Sequence, residues 1–161
     1  MKHTLPRLRA YRASDLSALI ALFRAAVREL ASRDYDLRQR LAWAPDVIDA
    51  ERFEARLASC ATWVAEIAGR QAGFGSVETD GHIDLLYVHP DFARRGVARL
   101  LLEHIENEAK RGGIVRLYAE VSLTARAVFG RCGFRELARQ TVVVRGVSMD
   151  NYRMDKVITA S

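Results

Sequence analysis

The segment Leu85–Leu102 reads LLYVHPDFARRGVARLLL and is the most informative part of the chain. Its first residues predict a β-strand that a proline ends, and the apolar residues after Gly96 recur at helical spacing. A strand that leads through a basic loop to a glycine at the start of a helix directs free backbone N–H groups, and the positive end of the helix dipole, at one place. Together with the charges of Arg94 and Arg95, this arrangement predicts a site for phosphate or pyrophosphate.

The composition predicts one globular domain over residues 1–161, a size at which a chain buries a full core without disulfides or metal. Half of the residues are hydrophobic (50%) and 28% are charged, so intrinsic disorder is a poor interpretation. No apolar run approaches the ~18 residues needed to span a bilayer, and the first residues lack the apolar segment of a secretory signal. Two cysteines, Cys60 and Cys132, form neither a disulfide framework nor the spacing of a zinc site. These features predict a cytoplasmic domain with no metal and no membrane partner.

The formal net charge of +5 comes mainly from arginines that are spread along the chain from Arg7 to Arg153. Such a distribution fits a solvated, arginine-rich surface, and it also fits a pocket for a phosphorylated small molecule. A nucleic-acid-binding face is the least favoured of the three interpretations, because no basic stripe with interleaved aromatic residues is present. We therefore expect no nucleic-acid partner.

The spacing of apolar residues predicts one α/β domain, with no linker and no repeat. Ser14 is expected to cap the first helix, and the Asp80-Gly81 pair indicates a hairpin. The predicted strands are Leu8–Tyr11, Thr62–Ile67, Gln71–Glu78, His82–Val88, Val115–Val121, Phe134–Val144 and Val147–Val157. The predicted helices are Leu16–Ala31, a segment between Asp34 and Pro45, Val47–Ser59, Gly96–Lys110 and Thr124–Cys132.

The loop and helix after Val88 resemble the central motif of the GNAT superfamily of acetyl-CoA-dependent N-acetyltransferases, Val-x4-Gln/Arg-x2-Gly-x-Gly/Ala. Val88, Gly96 and Ala98 match the motif, whereas Ala93 stands at its Gln/Arg position. The resemblance implies that acetyl-CoA is the co-substrate, that backbone groups of the strand pair with its pantetheine arm, and that amides of the loop hold its pyrophosphate. The cofactor-binding residues that it implies in this chain are Leu86, Tyr87, Val88, Arg94, Arg95, Gly96, Val97 and Ala98.

A second GNAT motif, Asn-x2-Ala-x3-Tyr-x3-Gly-Phe, is matched with two departures by the segment Ser122–Phe134. Ser122 replaces the asparagine, and Phe129 stands where the family often has a tyrosine that protonates the leaving thiolate. The resemblance implies that both residues contact the cofactor. With the sequence AWAP at Ala42–Pro45, the segment is similar to a YafP-like bacterial branch of the superfamily. It implies the GNAT acyl-CoA N-acyltransferase fold, α/β with a mixed sheet of about seven strands and four or five helices.

Transfer of an acetyl group to an amine requires a base that removes a proton from the amine. His82 is one candidate, because some GNAT enzymes have a glutamate base six residues before the motif valine; the alternative is a histidine in a solvated hairpin. Asp84 is a second candidate, or else a carboxylate paired with an arginine. Glu120 is a third candidate for base or substrate anchor, or else a member of an ion pair. By period two, one strand face is expected to carry His82, Asp84, Leu86 and Val88, and the other, more apolar face Ile83, Leu85 and Tyr87.

Because Phe129 has no proton to give, the leaving thiolate is expected to take its proton from water, from Tyr118 or from Ser122. Cys132 could serve as a nucleophile, which needs a neighbouring base or cation. A small buried apolar residue is the favoured interpretation of Cys132, as it is of Cys60.

The residues and the resemblance together predict an N-acetyltransferase that moves an acetyl group from acetyl-CoA to a primary amine, on a small molecule or a peptide, by direct transfer in a ternary complex. In a GNAT fold Tyr35 and Trp43 would flank the acceptor cleft, although core packing explains them equally well. The alternative function is a CoA-binding sensor or interaction protein with weakened catalysis, which Phe129 favours. The last strands, Val142–Val144 and Val147–Val157, offer an apolar edge at which a homodimer could form.

Overall fold

The computed structural model describes residues 4–159, in which seven strands form two antiparallel sheets. The strands are β1 (Arg7–Ala10), β2 (Ala61–Ile67), β3 (Arg70–Val77), β4 (Ile83–Val88), β5 (Arg116–Ser122), β6 (Arg135–Val144) and β7 (Val147–Val157). The first sheet has the order β1-β2-β3-β4, and the second has the order β5-β7-β6. The α-helices are α1 (Leu16–Ala25), α2 (Leu37–Trp43), α3 (Ala50–Ala58), α4 (Val97–Arg111) and α5 (Arg126–Arg131). The mixed α/β architecture and the order of elements are as predicted, and every predicted strand boundary is correct to within one residue.

Helices α1 and α3 cover one face of the first sheet. They bury Leu19, Phe23 and Leu57 against Val64 of β2 and Phe74 of β3. Apolar residues that lie three and four apart place these side chains on one side of each helix, which is why the spacing predicted them. None of the helices among the described residues has the length and apolar character that a bilayer crossing needs.

Helix α4 lies on the opposite face and comes very close to β3. A β-carbon on Gly73 would stand 2.7 Å from Cγ1 of Val97 and 3.0 Å from the carbonyl oxygen of Tyr87, so this position requires glycine. The close approach buries Leu101 and Ile105 completely. It also fixes the start of α4 beside the end of β4, which places the basic loop between them.

The helix that begins at Leu16 changes its pitch before it ends. After α1, a π-helical turn covers Ala26–Leu30 and a 3-10 turn covers Ala31–Arg33. The predicted helix Leu16–Ala31 is therefore correct in extent but not in form. A π-turn widens the helix, and such turns are common at functional sites.

A β-bulge in β4 overturns the predicted alternation of its faces. Two consecutive residues of β3 pair with Ile83 and Leu85, so Asp84 is an extra residue without a partner of its own. Ile83 packs in the core under α4, whereas Leu85 packs under α1 and α3. The predicted grouping holds after the bulge, where Leu86 and Val88 share one face and Leu85 and Tyr87 the other. It is wrong before the bulge, because Ile83 lies on the face opposite to Leu85, and the predicted set of His82, Asp84, Leu86 and Val88 is not one face. The bulge turns Asp84 towards Arg56 on α3.

The start of α1 is fixed by Asp15, not by Ser14. The buried carboxylate of Asp15 accepts hydrogen bonds from two nitrogens of Arg9, at 2.6 and 2.7 Å, and from the backbone N–H of Arg12 at 2.9 Å. Burial alone would raise the pKa of Asp15, but these hydrogen bonds lower it to about 2. Ser14 is exposed in a 3-10 turn ahead of the helix, so the prediction that it caps α1 is wrong.

The last hairpin does not present both of its strands as an edge. Strand β7 lies in the middle of the second sheet, between β5 and β6. The expected edge is therefore confined to β6, where exposed Val143 lies two residues from Thr141, which is polar and also exposed. The prediction that Val147–Val157 contributes an edge is wrong, because β5 covers its other side.

Candidate active site

The two sheets meet where His82 and Tyr118 lie side by side in parallel strands. The N–H of Tyr118 donates to the carbonyl oxygen of Gly81 at 3.1 Å. Beyond this contact β4 pairs with β3 and β5 pairs with β7, which leaves an opening between β4 and β5. We call this opening the interstrand cleft; its lining includes Ala26, Val27, Leu30, Trp43, Leu86, Tyr87, Val88, Ala98, Ser122, Ala125 and Val128.

The cleft side of the β4 backbone is available for pairing, because β4 is the outermost strand of the first sheet. Leu86, Tyr87 and Val88 all line the cleft. The free N–H and C=O groups of an edge strand can pair with an extended chain of amides. These three residues therefore lie where an extended amide-containing arm would run.

A pocket of about 890 Å³ opens at the start of α4 and shares Val88 and Ala98 with the cleft. Gly96 precedes the helix with a φ of +77°, a left-handed conformation that glycine adopts without strain. The first N–H groups of a helix have no intrahelical partner, and at Gly96 no side chain caps them. We call this the anion pocket; its lining includes Arg33, Ala93, Arg94, Gly96, Val97, Ala98, Arg99 and Arg131.

The arginines of the anion pocket differ in part from those expected. Arg94 lines the pocket, but the guanidinium of Arg95 lies 5.6 Å from the centroid of the Phe92 ring and is not part of the lining. Arg33 and Arg131 reach the pocket from other elements, and sequence reasoning missed them because no local motif connects them to the loop. Arg33 and Arg131 thus add positive charge to a pocket in which Ala93 stands at the Gln/Arg position of the motif.

His82 joins two carboxylates at the point where the strands begin to diverge. Its Nε2 lies 2.6 Å from Oε2 of Glu120, and its Nδ1 lies 2.7 Å from Oε1 of Glu78. Burial lowers the pKa of His82, but the two carboxylates outweigh it and raise the pKa above its ordinary value. The ring also stacks on Tyr118, with 4.9 Å between the ring centroids. Sequence reasoning missed Glu78, although its spacing of four from His82 across a hairpin turn is a usable signal.

Asp84 is held by Arg56 in a bidentate ion pair. The two hydrogen bonds measure 2.6 and 2.8 Å, and Asp84 also lines the space between β4 and β5. Of the two interpretations of Asp84, the structure shows the carboxylate paired with an arginine. Both oxygens of Asp84 are thus engaged in charge-assisted hydrogen bonds with Arg56.

A small cavity of about 60 Å³ lies at the inner end of the cleft, beside the point of divergence. We call it the inner cavity; its lining includes Trp43, Asp84, Leu86, Tyr87, Glu120, Ser122, Ala125 and Phe129. It brings together Glu120, Ser122 and Phe129, three of the residues that the sequence singled out. A carboxylate and hydroxyl groups around one small space can move protons to and from a bound group.

The hydroxyl groups near the inner cavity differ in their availability. The Tyr87 hydroxyl accepts a hydrogen bond from Nε1 of Trp43 at 3.2 Å, and burial raises the pKa of Tyr87 to about 12, so it keeps its proton. Ser122 Oγ accepts the N–H of Ala125 at 3.0 Å. The Tyr118 hydroxyl donates to Asp80 and does not line the cavity. The sequence named Tyr118 as a proton source and overlooked the Tyr87 hydroxyl, because its contact with Trp43 joins residues 44 positions apart in the chain.

The two cysteines are half-buried, and burial raises the pKa of each thiol. Neither thiol therefore has the lowered pKa of an activated nucleophile. Potential ligand atoms of Cys60, Glu78 and Asp84 lie within 4.8 Å of one another, but Arg56 engages both oxygens of Asp84. This cluster is a poor fit for a metal ion, because a guanidinium would repel it.

Tyr35 and Trp43 have different roles. The Tyr35 hydroxyl donates to the carbonyl oxygen of Asp150 at 2.5 Å and accepts the N–H of Leu123 at 3.0 Å, so this buried side chain links the segment before α2 to the second sheet. Trp43 packs edge-on against the Tyr35 ring and lines both the cleft and the inner cavity. Tyr35 thus supports the wall, and Trp43 is part of it.

Solved structures show the same fold in other proteins. A GCN5-related N-acetyltransferase from Rhodopseudomonas palustris superposes with a TM-score of 0.93 and 34% identity, covering 98% of this chain and 99% of that one. The PaiA N-acetyltransferase from Thermoplasma acidophilum, solved in complex with coenzyme A, is similar in fold, with a TM-score of 0.79, 16% identity, and coverage of 95% of this chain and 99% of that one.

The sequence itself matches over most of its length. It is 37% identical over 149 residues to the uncharacterized N-acetyltransferase YafP of Escherichia coli (strain K12), covering 92% of this chain and 93% of that protein. Residues 31–156, which include both diverging strands and the loop at Gly96, match the family model described as an acetyltransferase (GNAT) domain. These matches agree with the open cleft and the glycine-led helix, and the chain belongs to the GNAT family of N-acetyltransferases, in a YafP-like branch.

Proposed function

We propose that the protein moves the acetyl group of acetyl-CoA directly to a primary amine, with both substrates bound in a ternary complex. One observation carries the proposal: the anion pocket, the interstrand cleft and the inner cavity form a continuous path from the start of α4 to Glu120. Val88 and Ala98 line the first two spaces, and Tyr87 and Ser122 line the last two. The Thermoplasma protein, which shares the fold, holds coenzyme A in its crystal structure.

The chemistry of the path fits the parts of acetyl-CoA in order. At the Gly96 loop, the free N–H groups together with Arg94 and Arg99 would hold the pyrophosphate. The free backbone edge of Leu86–Val88 would pair with the amides of the pantetheine arm. Acetyl-CoA bound in this way supplies a thioester whose carbonyl carbon an amine can attack at the inner cavity.

Glu120 is the residue that we propose as the base. One of its oxygens is fixed by His82, and the side chain remains partly open to the inner cavity, where an amine would arrive. Glu120 accepts the proton of the amine as the new C–N bond forms and the C–S bond breaks. His82 bridges Glu78 and Glu120 through its two ring nitrogens, and its contact with Glu120 fixes one oxygen of that carboxylate. We therefore assign His82 as a positioning residue and leave Asp84 as the ion-pair partner of Arg56.

The leaving thiolate does not need a dedicated acid. A thiol has a pKa of about 8.5, so water can supply the proton at neutral pH. The hydroxyl groups of Tyr87 and Ser122, which line the inner cavity, can donate hydrogen bonds to the sulfur as negative charge develops on it. Phe129 is therefore compatible with turnover.

The first test is calorimetric titration of the purified protein with acetyl-CoA, followed by detection of amine-dependent thiol release. We expect the double variant Arg94→Ala/Arg99→Ala to bind acetyl-CoA at least about tenfold more weakly, since each arginine loses a charge-assisted hydrogen bond. Arg111→Ala is the matched control, because Arg111 pairs with Glu108 at the far end of the same helix. Failure of the folded wild-type protein to bind acetyl-CoA would contradict the proposal.

A catalytically weakened CoA-binding sensor is the second candidate, and Phe129 is the observation that favours it. The ring of Phe129 is buried against Phe134 and lines the inner cavity. The substitution Phe129→Tyr would add a hydroxyl group at this cavity, and its effect on kcat distinguishes an acetyltransferase from a CoA-binding sensor. If the wild type is an enzyme that relies on water, kcat should change by less than about tenfold. A gain of about 100-fold or more from a nearly inactive wild type would instead support the sensor.

We further propose a cytoplasmic location and a homodimer through the edge strand β6. The side chain of Val143 on this strand is 68% exposed, and an open strand edge can pair with a second copy. Light scattering of the purified protein decides between a monomer and a dimer. A monomer at all concentrations would exclude the β6 dimer and leave the proposed reaction unaffected.

A further inference from the structure

A fourth cavity, of about 520 Å³, shares none of its lining residues with the anion pocket. Tyr87 and Trp43 line this cavity, the interstrand cleft and the inner cavity alike. The ion pair between Arg56 and Asp84 spans the boundary, because Arg56 lines the fourth cavity and Asp84 lines the inner cavity. A molecule in the fourth cavity would therefore reach the proposed reaction point from the side opposite to the pantetheine arm.

We call this fourth cavity the arginine pocket, since three guanidinium groups line it, those of Arg52, Arg56 and Arg145. The charge of Arg56 is compensated by Asp84. Within residues 4–159, neither Arg52 nor Arg145 forms an ion pair with a carboxylate. The one acidic residue in the lining, Asp49, accepts the backbone N–H of Arg52 at 3.2 Å and caps α3. The pocket thus offers two uncompensated cations to a ligand.

Hydrogen bonds from arginines also hold the segments around the pocket in place. Arg24 and Arg28 each donate at 3.0 Å to a backbone carbonyl in the segment Ala44–Asp46, which holds that segment in place. Arg145 donates to the carbonyl of Ala42 at 2.7 Å from the turn between β6 and β7. Its φ of +45° is a left-handed conformation, which is unfavourable for a residue with a side chain. The hydrogen bond to Ala42 fixes the position of the Arg145 side chain at the pocket, where its charge has no carboxylate partner within residues 4–159.

The remaining walls of the pocket are aromatic. Phe23 packs on Phe53 with 5.6 Å between ring centroids, and on Tyr87 with 4.8 Å. Trp43 closes the side towards the cleft, 6.2 Å from the Tyr87 ring. Such walls favour an apolar or aromatic body, whereas an unpaired guanidinium favours a carboxylate or a phosphate.

We infer that the acceptor amine carries an anionic group, a carboxylate or a phosphate, which Arg52 and Arg145 bind while its apolar part lies against Phe23, Phe53 and Trp43. The inference rests on the proposed acetyl transfer for the identity of the ligand as an acceptor. The binding site itself depends on the geometry of the arginine pocket alone. The two kinds of anion are distinguished by the ligands used in the test.

The test measures binding of acetylated products to the protein in the presence of coenzyme A, so that it does not depend on turnover. If the anion is a carboxylate, we expect N-acetyltryptophan to bind at least about tenfold more tightly than N-acetyltryptamine, which lacks the carboxylate. If it is a phosphate, we expect N-acetyl phosphoethanolamine to bind more tightly than N-acetylethanolamine by the same factor. In Arg52→Ala/Arg145→Ala the preference should fall to less than about twofold. Arg38→Ala, an exposed arginine on α2 outside the pocket, is the control that should retain it.

The outcomes separate the two hypotheses. The inference of an anionic acceptor is overturned if, in both pairs, the charged and the neutral ligand bind equally well or neither binds. It is also overturned if Arg52→Ala/Arg145→Ala keeps the preference for the charged ligand. A carboxylate preference without a phosphate preference, or the reverse, supports the inference and names the anion. Loss of acetyl-CoA binding or of amine-dependent thiol release bears on the proposed function, and both are measured on the same protein without these products.

Discussion

Glu120 holds the centre of the proposed chemistry, and one hydrogen bond of 2.6 Å from His82 fixes its position. Glutamine at this position keeps the shape of the side chain but loses the negative charge that accepts a proton. We expect Glu120→Gln to lower kcat about 100-fold, a typical loss for a general base, without changing the Kd for acetyl-CoA. Steady-state kinetics and calorimetry on one preparation check both values. Glu108→Gln, at the far end of α4, serves as the control, and a kcat for Glu120→Gln within about threefold of the wild type would rule out this role.

His82 makes the stability of the fold depend on pH. Burial lowers the pKa of His82, but Glu78 and Glu120 together raise it by more than burial lowers it. The folded-state pKa therefore lies above the unfolded value of about 6.5. The charged histidine then stabilises the fold fully below about pH 6.5, and this contribution is lost as the pH rises through the folded-state pKa. We expect the free energy of unfolding of the wild type to exceed that of His82→Gln at about pH 6, by a margin that shrinks towards about pH 9. Urea denaturation at both pH values gives the margin, and a constant margin would contradict the prediction.

The sequence identifies candidate residues better than it identifies their partners. Glu120 and His82 were both predicted as bases, but their mutual hydrogen bond joins two strands that are far apart in the chain. Asp84 had two open interpretations, and the choice between them depends on Arg56, which lies 28 residues earlier on α3. Pairings of this kind are set by tertiary packing, which residue type and local spacing do not encode.

Helix α4 has a glycine with a left-handed backbone near each end, which allows a matched comparison of the two positions. Gly96 before the helix and Gly113 after it have φ values of +77° and +79°, and a β-carbon at either position would meet nothing within 4 Å. Alanine at either position should therefore lower the free energy of unfolding by a similar amount, about 1 kcal/mol, because of the left-handed backbone. Gly96→Ala should in addition weaken acetyl-CoA binding about tenfold, since it disturbs the N–H groups of the first turn.

Chemical denaturation and calorimetry of the two variants separate stability from binding. Gly113→Ala is the control, because it carries the same backbone strain away from the anion pocket. Equal losses of affinity in both variants would show that the loss comes from general destabilisation, and the Gly96 loop would then have no special part in binding.

Periodicity predicted the extent of the elements but not their irregularities. Strand β4 was placed correctly, yet the bulge at Asp84 puts Ile83 on the face opposite to Leu85, where strict alternation predicted the same face. The helix Leu16–Ala31 was also placed correctly, yet its last turns are π-helical and line the cleft. A bulge or a π-turn adds one residue without changing the apolar pattern enough to be visible in it. Both irregularities lie in the site, where they shape the cleft.

At the scale of the whole molecule, the site is assembled from both sheets. The predicted phosphate-binding loop belongs to the first sheet, and Glu120 and Ser122 belong to the second. Arg33 and Arg131 join the anion pocket from two further segments. The strand-loop-helix order predicted the loop, because the residues expected to bind phosphate follow one another in the chain. The full set of arginines follows from the way the elements pack, and so the structure was needed to find it.

Acetyl-CoA bound along this path would contact both sheets, which meet through few backbone contacts at His82 and Tyr118. Binding to the folded state alone should therefore stabilise the whole fold. At a ligand concentration of about 100 times Kd the gain is about 2.7 kcal/mol, which raises the Tm of a chain of this size by about 5–10 °C. At the same ligand concentration, Gly96→Ala has a Kd about tenfold higher, so its free energy of unfolding should increase by about half as much as that of the wild type. The increase for Gly113→Ala should equal that for the wild type. Differential scanning calorimetry measures these shifts, and an unchanged Tm of the wild type would exclude a ligand that spans the two sheets.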